Sequence, residues 1–203
     1  MYLKNPTEIE KKSFEIIGGN LKGLFKDKEL KVVMRMIHTT GDYDYENIVV
    51  FKNNPVESGL QTLKKGTKIF TDTRMAYSGI NKRKLKELSC EIDCFIDSEE
   101  TFKRAKEEDI TRSMASVDIA VGLGYEVFVI GNAPTALFRL IEHINKGNIK
   151  PNLVIGVPVG FVGAEESKEE LRKVEVPQIT TVGTKGGSNV AAAILNSIIY
   201  MVG

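Results

Sequence analysis

Residues 126–146 read EVFVIGNAPTALFRLIEHINK, and this stretch decides the fold class. Residues 126–130 form a short apolar, β-branched run, the pattern of a strand buried on both faces. Gly131-Asn132-Ala133 breaks the run, and Pro134 stands where a first helical turn needs no N–H. Apolar residues then recur at helical spacing as far as Lys146. Strands covered on both sides belong to parallel sheets, whose crossovers are helices. The unit recurs downstream. Residues 153–157 lead through a glycine-rich turn to a helix over 163–173, and residues 178–182 lead through another to a helix over 188–201.

Toward the N-terminus, residues 68–71 and 91–96 are further strands, with a helix over 81–88 between them. One long helix is expected over 99–121. Asn5-Pro6 opens a first helix, Asn as the cap and Pro in the first turn, with Ile9, Ile16 and Ile17 on one face and Gly18-Gly19 as the stop. A second helix over 28–40 carries Val32, Val33, Met36 and Ile37 as its core stripe and ends at Gly41. A short strand over 48–51 and a helix over 55–65, stopped by Gly66, complete the pattern. It predicts one three-layer α/β domain over residues 1–203, a mainly parallel sheet with helices on both faces.

With 42% hydrophobic and 27% charged residues among 203, the chain has the balance of a soluble globular protein rather than a disordered one. Its 28 Lys and Arg against 27 Asp and Glu leave a net charge of +1, which gives no bulk reason to expect nucleic acid or an anionic membrane as partner. Residues 1–6 lack the charged-then-apolar pattern of a leader, and no stretch reaches the about 18 apolar residues of a membrane span. Cys90 and Cys94 alone make no disulfide framework, so a reducing cytoplasm is expected. Nor do two thiols without a further Cys or His cluster complete a zinc site, so no metal is expected. Their spacing across a β segment fits burial instead.

In an open parallel sheet, ligands bind outside the carboxyl ends of the strands. That rule selects four segments: 71–74, 131–135, 158–163 and 183–189. Three are glycine-rich and lead directly into helices, whose first N–H groups favour carboxylates or phosphates. None is a Walker A loop, and no Gly-x-Gly-x-x-Gly follows the first strand. His38 lies one turn beyond Arg35 on the surface of its helix that faces away from the apolar stripe. It also sits in the last turn, where the helix dipole favours an imidazolium and so suits a proton donor. A solvated polar face is the ordinary reading of such a surface. Ser13 falls inside an apolar stripe, where a serine ordinarily bonds back to the carbonyl four residues earlier, here that of Ile9. His143, with no comparable neighbours, reads as structural.

Several blocks resemble the precorrin-8X methylmutase family, also called cobalt-precorrin-8 methylmutases. They are Gly131-Asn132-Ala133-Pro134-Thr135-Ala136-Leu137-Phe138, the stretch from Gly156 through Gly163 to Lys168, and Lys185-Gly186-Gly187-Ser188-Asn189 with the residues to Ala193. Ile9-Glu10-x-x-Ser13-Phe14, Arg35-Met36-Ile37-His38, Thr71-Asp72 and Thr111-Arg112-Ser113 match in order, so the likeness runs from about residue 6 to 197. The resemblance implies a Rossmann-like α/β fold and a homodimer with the active site near the interface. It implies a cytoplasmic isomerase of corrin ring synthesis that moves a methyl group from C-11 to C-12 of precorrin-8X or cobalt-precorrin-8, with no cofactor. His38 corresponds to the catalytic acid, and Ser13 and Arg35 to substrate contacts. Arg112, Asn132, Thr135 and Ser188 are expected to hold the carboxylate fringe of the ring. Tyr43 and Tyr45 stand open between ring contact and packing, and Arg74 carries no assigned role.

Two other classes compete. A non-catalytic corrinoid carrier would use the same pocket to bind and hand on pigment. A nucleotide- or phosphate-using enzyme would use the glycine loops alone.

Overall fold

Each expected strand exists, and the computed structural model, which describes residues 4–202, shows what covers it. Residues 1–3, part of the stretch searched for a leader, and Gly203 lie outside the described residues. In chain order the elements are α1 (Pro6–Gly19), α2 (Asp27–Thr40), α3 (Tyr45–Ile48), β1 (Val49–Lys52), α4 (Pro55–Lys64), β2 (Lys68–Thr71), α5 (Arg74–Gly79), α6 (Lys82–Glu87) and β3 (Glu91–Asp93). There follow α7 (Glu99–Glu107), α8 (Arg112–Gly122), β4 (Val127–Ile130), α9 (Pro134–Asn145), β5 (Leu153–Gly156), α10 (Ala164–Lys173), β6 (Gln178–Thr181) and α11 (Ser188–Met201).

The six strands form one sheet in the order β1-β6-β5-β4-β2-β3. All neighbours are parallel except β1, which pairs antiparallel with β6 at the edge. Alternation along the strands sends side chains to two separate cores. Ile69, Val127, Val129, Leu153, Ile155 and Ile179 meet α2, α4 and α11 on one face. Phe70, Phe128, Ile130 and Val154 meet α8, α9 and α10 on the other. Phe70 and Phe128 are opposite one another in the β2–β4 register, both fully buried. Each side chain of that size contributes about 1.5–3 kcal/mol by leaving water.

The α2 stripe of Val32, Val33, Met36 and Ile37 is buried as expected, and Gly41 ends the helix in the left-handed conformation with φ 68°. Asn5 caps α1 by accepting from the amides of Thr7 and Glu8. Two expectations need correction. The helix over 99–121 is two helices, because Asp109 turns left-handed at φ 52° and the Thr111 hydroxyl caps a new start by accepting from Met114 N at 3.2 Å. The apolar face of α1 is also different. Ile17 is buried while Ile9 and Ile16 stay exposed, because α1 packs on α2 through Phe14 and Ile17, which lie well round the helix from Ile9 and Ile16 at 100° per residue. Helix α5 was not foreseen; Thr73 caps it, its hydroxyl accepting from Ala76 N at 3.1 Å.

Candidate active site

β3 lies to one side of β2, whereas β4, β5 and β6 run away from its other side, so the sheet changes direction between β2 and β4. Ligands in open α/β sheets favour the carboxyl end of such a point. Here that crevice is closed from within. Asp72, just past β2, is buried and accepts from the amides of Gly131 (3.0 Å), Asn132 (2.8 Å) and Ala133 (2.9 Å) just past β4. Burial pushes its carboxyl above the ordinary carboxylate range, and the three amide donors only partly oppose this. The turn also packs against the start of α11. A Cβ on Gly131 would lie 2.7 Å from Ser188 Cα and 2.9 Å from the Gly187 carbonyl, so only glycine fits. Ser188 shares a hydrogen bond of 2.8 Å with Thr73.

The cleft opens beside this lock, between α2 and α11. It holds about 240 Å³ and is lined by Arg35, His38, Thr39, Gly79, Asn189, Ala192 and Tyr200, among others. An adjoining hollow of about 250 Å³ shares Arg35 and Tyr200 and continues along Phe14, Met34 and Met201. A roomier depression of about 540 Å³ lies at Lys26–Glu29, Asn54 and Glu57. It is at the opposite end of α2, roughly 16 Å from His38 by helix rise, and offers no histidine or aromatic ring. Chemistry rather than volume favours the smaller cleft.

Phe14 is the shared platform of that cleft. The His38 ring stacks on it at 5.2 Å between centroids and 27° between planes. The Arg35 guanidinium lies 4.8 Å from the same ring and 5.1 Å from that of Tyr200, and it pairs with Glu10 at 2.7 Å. His38 is exposed at the mouth, with its ring orientation set by packing. The polar face of α2 therefore looks into a cleft rather than into bulk water alone.

The end of α2 is tied to the last glycine loop. Lys185 Nζ reaches Asp42 at 2.6 Å and Asp44 at 3.1 Å, while Tyr45 OH donates to the Gly186 carbonyl at 3.4 Å. The hydrogen bond from Lys185 holds the Asp42 carboxyl below the usual carboxylate range; for Asp44 the Asn47 amide does most of this and Lys185 adds to it. Loops 158–163 and 183–187 are joined in turn, Gly160 N donating to the Thr184 carbonyl at 3.1 Å and Gly187 N to that of Val157 at 2.9 Å.

The remaining expected residues divide. Ser13 gives its hydroxyl proton to the Ile9 carbonyl at 2.8 Å, the ordinary use of a serine there. Arg112 lies over Phe102 at 5.0 Å, and Thr135 accepts from the Thr111 hydroxyl at 3.2 Å. Arg112, Asn132 and Thr135 are exposed, but they do not line the His38 cleft, since α8 and α9 cover the other face of the sheet. Tyr45 is packed and its hydroxyl pushed up by burial, Tyr43 is partly exposed, and Arg74 pairs with Asp97. Cys90 and Cys94 are both buried. His143 has the partners that spacing did not show: Asp118 at 2.6 Å, itself bound to Arg139, and Asn148 at 3.0 Å.

The sequence profile of the precorrin-8X methylmutase family matches residues 8–201. The chain belongs to that family. Cobalt-precorrin-8 methylmutases of Methanocaldococcus jannaschii and Salmonella typhimurium are 43% and 44% identical to it, over 97% and 98% of this chain and 94% and 97% of their own. The crystal structure of the Thermus thermophilus precorrin-8X methyl mutase superposes with a TM-score of 0.91 at 37% identity, covering 97% of this chain and 96% of that one. As a methylmutase, the chain is an isomerase of corrin biosynthesis, and nothing in these relatives supports the carrier reading. Among the described residues, no helix of this methylmutase is long and apolar enough to cross a membrane. Tyr200, Asn189 and Asn196 line the methylmutase cleft without having been singled out from the sequence. They lie on α11, an almost wholly buried helix whose polar positions read as incidental. Asp72 was visible in the matching blocks, but its role as the lock between two strand ends depends on which strands are neighbours.

Proposed function

We propose that this chain moves a methyl group from C-11 to C-12 of precorrin-8X or cobalt-precorrin-8, giving hydrogenobyrinic acid or cobyrinic acid. The observation that carries the reading is His38, stacked on Phe14 at the mouth of a cleft beside Arg35. In this mechanism His38 gives a proton to the macrocycle, the methyl leaves C-11 and bonds to C-12 of the same molecule, and the proton is returned. Substrate and product are isomers, so no co-reactant is consumed. General acid help is worth about 10²–10⁴ in rate, and holding the ring in one orientation supplies the rest.

The ring is broad and flat with a fringe of carboxylates. Arg35 binds one of them by exchanging Glu10, an exposed partner, for the substrate. Arg112, Asn132 and Thr135 are exposed along the carboxyl edge of the sheet, where the far side of the fringe meets them. Ser13 reaches a carboxylate by turning its hydroxyl proton from the Ile9 carbonyl to it, and Ser188, buried and bonded to Thr73, stands at the start of α11. Each charge-assisted bond contributes about 1.5–3 kcal/mol. The working form is a cytoplasmic homodimer with the site near the interface. Its support is the apolar surface left open by a single chain: Phe161 is 93% and Val162 88% exposed on a strand-end loop, and Ile9 and Ile16 face outward on α1.

A UV–visible time course with precorrin-8X and, separately, cobalt-precorrin-8 tests the reaction. The corrin spectrum should grow in with at least one of them, and no conversion of either sinks the proposal. Light scattering on the same sample should give twice the chain mass of 22.5 kDa; a monomer at assay concentration rejects the dimer.

A further inference from the structure

Lys168, on α10, is fully buried, yet it makes no hydrogen bond or ion pair with a carboxylate. Its ammonium donates to Thr181 Oγ1 at 3.1 Å and to the Lys185 carbonyl at 2.9 Å, both neutral acceptors. The Lys185 carbonyl already accepts from the Thr181 hydroxyl at 2.7 Å, so the loop has a bond there without the lysine. A buried ammonium without a bonded counter-ion is costly, and here only the Coulomb attraction of Glu165, opposed by Arg172, offsets it. It sits where the loops 158–163 and 183–187 are joined, at the carboxyl edge of the sheet.

We infer that Lys168 is a positioning residue for substrate, a fixed positive charge beneath the two joined glycine loops that favours a carboxylate of the macrocycle fringe seated on them. The inference rests on the function proposed above. Lys168 does not touch the ligand. It acts through the low-dielectric floor of the loops and through the Lys185 carbonyl it holds. Glu165 and Arg172 on α10 act in opposite directions on it. Lys185 turns its own ammonium to Asp42 and Asp44, while Arg139, Glu142 and His143 of α9 engage Asp118 and one another.

Burial brings the Lys168 ammonium down to about 8. Its charge is therefore present at pH 7 and lost in the folded protein as pH rises through that value. Between there and the ordinary lysine range the unfolded chain binds the extra proton, so wild-type stability should climb with pH across that interval. Lys168→Met, close in volume and neutral, should lack this climb and melt no lower than wild type at pH 7.

Absorbance titration with hydrogenobyrinic acid and steady-state kinetics test the functional part. Lys168→Met at pH 7 should bind about tenfold more weakly, with the loss falling on KM rather than kcat. Wild-type affinity should decline above about pH 8 toward that of the variant. Equal affinity and an unchanged pH profile overturn the inference, as does a variant that loses kcat and melting temperature together, the mark of a purely structural lysine. A wild type that does not bind hydrogenobyrinic acid overturns the reading of the site beneath it, and that failure shows before any variant is made.

Discussion

His38→Ala should lose about 10²–10⁴ of turnover while melting within a few degrees of wild type and still binding hydrogenobyrinic acid. The side chain is exposed, and its main contact is the stacked Phe14 ring, a pairing worth about 0.5–1.5 kcal/mol. Little stability therefore depends on it. Its placement serves chemistry instead. The last turn of α2, which Gly41 closes, sets the ring at the mouth of the cleft. Arg35, one turn back, remains to hold the ring, which is why binding should survive. Near-normal turnover in this variant would remove the acid from the mechanism and leave positioning alone.

Asp72→Ala should be strongly destabilising. It strips the acceptor from three amides at once, those of Gly131 and Ala133 in buried bonds and that of Asn132 in a part-buried one. An orphaned buried donor costs about 1–3 kcal/mol, and three with partial relaxation come to roughly 3–6 kcal/mol. At about 2–4 °C per kcal/mol for a domain of this size, the melting temperature should fall by roughly 10 °C or more. Asp72→Asn keeps the shape and one acceptor oxygen but turns an NH₂ toward a donor, so it should fall between the two. Thermal melts of both variants decide the matter: a drop under about 2 °C for the alanine variant would mean that Asp72 does not hold the two strand ends together.

The parts of this fold that were legible in the sequence are those set by neighbours in the chain. Residues 126–146 form a strand, a glycine turn and a helix because apolar continuity, Pro134 and helical spacing act within a few residues of one another. The α2 stripe is buried for the same reason. Where the sequence misled, a distant partner made the choice. Ile9 and Ile16 share a helical face with each other, but α2 meets α1 on the side of Phe14 and Ile17. The break at Asp109 in the expected 99–121 helix was carried by one residue's backbone and a threonine cap, both easily outweighed in a long helical pattern. In the site, His38 beside Arg35 was visible as a one-turn spacing. Phe14 under both, and Tyr200 across from them, depend on three helices meeting.

The cleft wall also has a history in time. The side that carries His38, the proposed acid, comes from residues 35–39 and the opposite side from residues 189–200, with all six strands of the sheet encoded between them. A chain emerging from the ribosome makes Phe14 and His38 early and has no facing wall for them until α11 arrives. Closing so long a loop is entropically slow. Any product halted before Ser188 carries the proposed proton donor without the α11 wall of its cleft, so the chemistry proposed for it waits until residues 188–201 are made.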